Sequence, residues 1–342
     1  MKSHTVPRKL LEQFAYFDPC TKSLRLWHYE KNRPPLRNAS PRTATRIDHH
    51  FSHPDIAAKE EELETRLARE FEGPVNEFLF QISDQSFTAT DERRRQLTRY
   101  VTLLFNRSKA RRDATKHLHQ VTVHALNRFL ANEQQILTVA AKWSIDLLLN
   151  GKVQGMLVTP DIVVQVAKDL LQNYDTERRR QASYAESIER AMSYFDEIVY
   201  DGHWRFLKAS SDQPYIISDA PVVTWERLDS GAFSYGMGFH RTNVEVFLPI
   251  SPLMCLHILP NVERTRHVQQ PTTREVNVAQ AAFAGRFCYT NIHSEEIDQI
   301  MQQNFGKAQL GVTAFTVWHR NYDNSVYELL MNDGRWVDPP RR

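Results

Sequence analysis

The stretch that decides the fold reads Val244-Glu245-Val246-Phe247-Leu248-Pro249-Ile250-Ser251-Pro252-Leu253-Met254-Cys255-Leu256-His257-Ile258. Two β-rich runs, Val244 to Leu248 and Met254 to Ile258, lie either side of turn residues, as neighbouring strands do. Trp204-Arg205-Phe206-Leu207, Tyr215-Ile216-Ile217 and Val222-Val223-Thr224-Trp225 repeat the pattern upstream. Together they predict an antiparallel sheet beginning after Gly202. Further on, the spacing predicts helices near 272–285 and 294–304 and a last strand from Thr313 to Trp318.

Working back toward the N-terminus, the period changes from two to about 3.6. Leu63, Leu67, Phe71 and Phe78 give a helical stripe over 55–82, interrupted at Gly73-Pro74, because proline removes a backbone donor and clashes with the preceding turn. Further helices are expected over 90–109, 112–131, 133–149, 160–174 and 176–200, with Thr159-Pro160-Asp161 as an N-cap signature. Pro7 suits the first turn of a helix through Leu10, Leu11 and Phe14, with His4 just before it. Leu24 to His28 reads as a short strand, and Asn32 to Arg42 as a loop. The expectation is an α+β fold, with an N-terminal and central helical array packed on a mainly antiparallel C-terminal sheet. We read it as a single domain of two interlocked parts, 1–201 mainly helical and 202–342 sheet-rich.

Composition fits a folded chain. Of 342 residues, 41% are hydrophobic and 11% aromatic, which argues against disorder. Lys and Arg number 43 against 41 Asp and Glu, so the net charge of +2 gives no global attraction to nucleic acid or anionic membrane. The three cysteines, Cys20, Cys255 and Cys288, form no metal-ribbon or disulfide pattern, which suits a reducing, cytoplasmic location. With no apolar leader and no apolar run of spanning length, neither a secretory signal nor a membrane span is expected.

Several polar groups carry chemistry. His4 and Arg8 lie one helical turn apart at a helix start, where an anion is favoured; a cap and a structural ion pair would place them equally well. Arg107 and Arg111 share a helix face and could grip a phosphate or carboxylate bidentately, or simply complement the helix C-terminus. Ser218-Asp219-Ala220-Pro221 displays two polar side chains at a strand end, where Asp219 could orient His4 or neutralise Arg8 or Arg107, or simply close a turn. Asp48-His49-His50-x-x-His53-x-Asp55 has ligand-type residues, yet no supporting pattern, and no metal or cofactor is expected. His117, His119 and His124 cannot all face one ion and read as a solvated helix face. The triplets Arg93-Arg94-Arg95 and Arg178-Arg179-Arg180 could touch a nucleic-acid backbone but follow acidic residues, as ordinary charged helix surface does. The familiar phosphate-loop, nucleophile-elbow and zinc-protease patterns are missing from the sequence.

These segments also resemble a known family. His4-x-Val6-Pro7-Arg8 with Leu10-Leu11-x-x-Phe14, Glu64, Phe105-x-Arg107-Ser108-x-x-Arg111, Ile217-Ser218-Asp219-x-Pro221-Val222 and Leu248-Pro249-Ile250-Ser251-Pro252 follow the order of the bacterial domain of unknown function 4238. Thr5 and Ala220 stand where that family usually has an aromatic residue and an asparagine. The resemblance implies a fold and brings no activity. From the residues themselves, we expect a metal-independent phosphodiester hydrolase, a nuclease or toxin-like effector acting on RNA. In it His4 and Asp219 are catalytic, and Arg8, Arg107, Arg111 and Ser218 bind the substrate. The partner expected is nucleic acid or a phosphate-bearing ligand, with no membrane. The alternative is a non-catalytic module that senses an anionic ligand or engages another protein.

Overall fold

A computed structural model of the chain describes residues 2–44, 46–48, 57–108, 123–124, 126–149, 158–174, 188, 197–227, 233–236, 238–239, 243–260 and 269–308. The expected strand at 313–318 and most of the expected helices at 112–131 and 176–200 lie outside these residues. The chain divides into two compact units, one of residues 1–113 and 184–311, the other of 114–183 and 312–342. The change from helix-rich to sheet-rich sequence at 201/202 thus falls within the first unit.

In chain order the first unit opens with β1 (Lys2–His4), α1 (Arg8–Gln13), β2 (Tyr16–Asp18), β3 (Ser23–Glu30), β4 (Leu36–Ala39) and β5 (Arg46–Asp48). Three details differ from the sequence reading. His4 lies in a strand, opposite Arg46 of β5, and Pro7 occupies the N-cap rather than the first turn. The stretch 32–42 is not all loop, because β4 pairs with β3. Short polar strands like this have too few alternating apolar residues to stand out.

Next come α2 (Ala57–Leu67), a π-helical turn (Ala68–Glu72), α3 (Gly73–Asn76), α4 (Leu79–Ser83) and α5 (Asp91–Asn106). The interruption expected at Gly73-Pro74 is this π turn, closed by the bond from Gly73 N–H to Ala68 O. A β-carbon at Gly73 would come within 3.2 Å of that same oxygen, which favours glycine there. Thr90 caps α5 by accepting from Arg93 N–H.

The second unit contributes α6 (Glu133–Leu149) and α7 (Pro160–Tyr174). They join through a core that includes Phe129, Ile136, Val139, Val163 and Ala167. Thr159 accepts from Ile162 N–H at the start of α7, in keeping with its reading as a cap.

Returning to the first unit, α8 (Glu197–Asp201) leads into β6 (His203–Lys208), β7 (Ile217–Ser218), β8 (Val223–Arg227), β9 (Phe233–Tyr235), β10 (Val244–Ser251) and β11 (Met254–Leu259). After these come α9 (Thr273–Phe283), β12 (Phe287–Thr290) and α10 (Glu295–Asn304). A capping box between Thr272 and Glu275 starts α9. Gly202 precedes β6 where a β-carbon would meet Leu259 O at 2.9 Å, so the close approach of β6 to β11 needs glycine.

Among the described residues the strands form a β1–β5 ribbon and two five-stranded sheets. One sheet has the order β6-β11-β10-β8-β9, built on the hairpin with which the sequence reading began. The other runs β2-β3-β12-β7 with β4 beside β3, so it joins N-terminal strands to C-terminal ones. The protein is α+β with antiparallel sheets. All eight residues of β10 and all six of β11 are buried, and Val6, Leu10, Leu11 and Phe14 pack into the same core as Trp225 and Phe247. No described helix is long and apolar enough to cross a membrane.

Candidate functional site

The best-defined polar centre grows from α5. Tyr100 and Arg107 are seven residues apart, two turns along one face, and both side chains are wholly buried. Opposite them, α2 supplies Glu64 and the π turn supplies Glu72. Eight residues of regular helix would leave Glu72 about 80° away from Glu64; the π turn absorbs about one residue and brings the two carboxylates back to one side. Arg107 Nη2 donates to both oxygens of Glu64, at 3.1 and 3.0 Å, while Nη1 donates to Glu72 Oε1 at 2.6 Å. Leu63, Leu67 and Phe71 of the same segments pack with Leu103 of α5 in one buried apolar cluster.

Side-chain exposure is 0% for Arg107, 16% for Glu64 and 17% for Glu72. One guanidinium is thus shared by two carboxylates at the edge of solvent. Burial, reinforced by the nearby Glu72 charge and opposed by Arg107, pushes the Tyr100 hydroxyl far above its ordinary range. That hydroxyl has no hydrogen-bond partner among the described residues. Sequence reasoning found Arg107 and Glu64 separately; it missed Glu72 and Tyr100, for which the break at Gly73-Pro74 was the available signal.

Arg8, Asp219 and Ser218 meet partners of their own within the fold. Arg8 is exposed and its Nε donates to Glu12 Oε1 at 2.6 Å, four residues along α1. Asp219 is buried and accepts three backbone N–H groups, from Gly285 at 2.7 Å, Arg286 at 2.8 Å and Phe287 at 3.2 Å. Ser218 Oγ lies 2.8 Å from Gln280 Oε1 and 2.9 Å from Ala220 O, while Gln280 Nε2 donates to Pro221 O. The Ser-Asp-x-Pro turn therefore ties β7 to α9 and to the start of β12. For His4 only the backbone placement is described; Arg111, His49, His50, His53, His117, His119 and Arg178 to Arg180 lie outside the described residues. Among described residues no cluster of three metal-ligating side chains occurs.

The first basic triplet lies against the fold. Arg94 donates to Tyr200 O at 2.7 Å and sits 4.7 Å above the Trp204 ring, while Arg93 covers Phe78 and Phe87 and Arg95 covers Tyr200.

Two features went unread in the sequence. Glu245 and His257 interrupt otherwise apolar strands, and they meet diagonally across β10 and β11. His257 Nε2 lies 2.9 Å from Glu245 Oε2, with the imidazole stacked on Phe247 at 4.5 Å between ring centres. An ionisable residue inside each of two apolar runs was the clue. The second is an open cleft of about 330 Å³ whose lining includes Gln13, Phe80, Asp84, Ser251, Leu253 and Asn291. It brings the end of α1 next to the β10–β11 turn.

Fold and site together define an antiparallel α+β protein with an arginine clasped by two glutamates between helices. The chain belongs to the family described as protein of unknown function DUF4238, whose model matches residues 2–294. All of the segments quoted for the resemblance fall within that span. No curated protein and no solved structure matches the chain.

Proposed function

We propose that the chain is a non-catalytic binding module, which recognises a ligand or a partner's side chain and breaks no bond. The observation that carries this reading is the engagement of Arg107. A cation meant to grip a transferring phosphate must be presented to it, and this guanidinium is wholly buried between Glu64 and Glu72. Arg8 on Glu12 and Asp219 on three backbone amides add to the argument, since each meets a partner within the fold. The cleft at Asp84 supplies a recess near the lower end of the size range of small-molecule sites.

The competing reading is a metal-independent phosphodiester hydrolase acting on RNA, with His4 as general acid or base, Asp219 orienting it and Arg8, Arg107 and Arg111 on the phosphate. One assay separates the two. Purified protein and a His4→Ala variant are incubated with mixed RNA and DNA in chelator across pH 5 to 9. The binding reading expects no conversion by either. Cleavage by the wild type that falls about 100-fold in His4→Ala overturns it and restores the hydrolase.

A further inference from the structure

We infer that the cleft at the end of α4 takes a cationic group, a primary amine or guanidinium, carried on a short apolar stem. This rests on the reading of the chain as a binding module and names what it binds. Size sets the first limit: about 330 Å³ lies near the lower end of small-molecule sites and suits a compact group on a short stem. Charge sets the second. Asp84 is the one ionisable side chain among the described lining residues, so an anion entering would meet a carboxylate with no lining cation to offset it.

The carboxylate is also held in place. Asp84 Oδ1 accepts from Ser86 N–H at 2.9 Å and from Ser86 Oγ at 2.6 Å, which fixes its direction and keeps it ionised at neutral pH. Around it the lining offers acceptors suited to several N–H donors. Gln13 Oε1, which also accepts from Ser83 Oγ, and Ser251 Oγ at the β10–β11 turn, which accepts from Leu253 N–H, are further oxygen acceptors on the lining.

An apolar stem has its own surface there. Phe80 is 66% exposed and Leu253 is 41% exposed, and both line the cleft. An exposed aromatic ring next to a fixed carboxylate suits a cation, which gains from the ring face as well as from the charge. A neutral apolar ligand would instead cover the exposed Asp84 carboxylate and take its water without a replacement hydrogen bond.

The group could come from a lysine or arginine side chain of a polypeptide or from a free amine, and titration separates these. The intact protein is titrated, by NMR or calorimetry, with n-butylammonium, n-butylguanidinium, the capped tripeptide Gly-Lys-Gly, 1-butanol and butyrate. Both butyl cations are expected to bind saturably in the millimolar range, and butyrate not at all. Asp84→Asn should weaken the cations about fivefold or more and Phe80→Ala about threefold; both residues are exposed, and far-UV circular dichroism checks that the variants keep the fold. Tighter binding of the lysine tripeptide than of butylammonium assigns the source to a polypeptide, and equal binding assigns it to a free amine. Equal cation affinity in wild type and Asp84→Asn, or absence of cation binding up to about 50 mM, overturns the inference. In that event, 1-butanol or butyrate binding that is lost in Phe80→Ala leaves the binding-module reading standing, whereas His4-dependent cleavage of RNA removes that reading too.

Discussion

Replacing Arg107 with alanine tests whether its clasp is internal support or a ligand contact. The substitution removes at least three charge-assisted hydrogen bonds and takes away the guanidinium that Glu64 and Glu72 share. Breaking a buried ion pair costs about 3–5 kcal/mol when the partner charge is trapped. Here both carboxylates keep some exposure, 16% and 17%, so they can regain water, which pulls the estimate to the lower end of that range. The void left by a wholly buried guanidinium adds to it, since the site closes only in part. We expect a loss of about 3 kcal/mol. With a urea dependence of about 2–3 kcal/mol per molar, the unfolding midpoint should fall by about 1 M.

Tryptophan fluorescence reads this directly, because Trp225 is fully buried in the core of the same unit. Arg107→Lys, which keeps the charge but not the fork, should lose about half as much. Arg107→Met combined with Glu64→Gln and Glu72→Gln should regain part of the stability, since the two carboxylates no longer face a missing guanidinium. A midpoint within about 0.2 M of wild type for Arg107→Ala would refute the reasoning and mark Arg107 as a group held for a ligand.

Other expectations follow from particular contacts. Asp219→Asn swaps an acceptor of three N–H groups for an amide whose nitrogen opposes one of them, and should cost about 2 kcal/mol in the same denaturation assay. Burial holds His28 below its ordinary value of 6.5, so its neutral form contributes stability above about pH 6.5 that is lost as pH falls through the lowered folded value. His28→Phe should therefore flatten the decline of the urea midpoint between pH 7 and pH 5, and an unchanged slope would refute this assignment. Cys255 and Cys288 are buried with thiols pushed up by that burial, whereas Cys20 is exposed; a thiol reagent should label one cysteine in the folded protein and three after unfolding.

Legibility in the sequence followed the range of the interaction involved. Helix α9 could be read near 272–285 from its apolar spacing, a signal carried within one segment, and the structure adds a capping box at Thr272 and Glu275. The β10–β11 hairpin could be read for the same reason. The second sheet could not: it pairs Trp27 to Glu30 with Phe287 to Thr290, and its β7 strand is only two residues long. No local period announces a partner some 260 residues away. The candidate site divides in the same way. Arg107, Glu64, Ser218 and Asp219 stood out as residues, but their partners did not. Whether an arginine faces solvent or two glutamates depends on which helix packs against it. Asp219 drew notice as a displayed carboxylate, and what it meets are backbone amides, which sequence composition never shows.

The π turn at Ala68–Glu72 has a bearing on how related chains should be compared. A wide turn within a helix is the footprint of one extra residue. Deleting a residue from 68–71 would bring Glu64 and Glu72 to a spacing of seven, which an ordinary helix also places on one side. Relatives with the two acids seven apart and relatives with them eight apart would therefore share the same clasp. An alignment that matches residues rigidly through this segment would pair Glu72 with the wrong neighbour, and a single gap within the turn restores the correspondence.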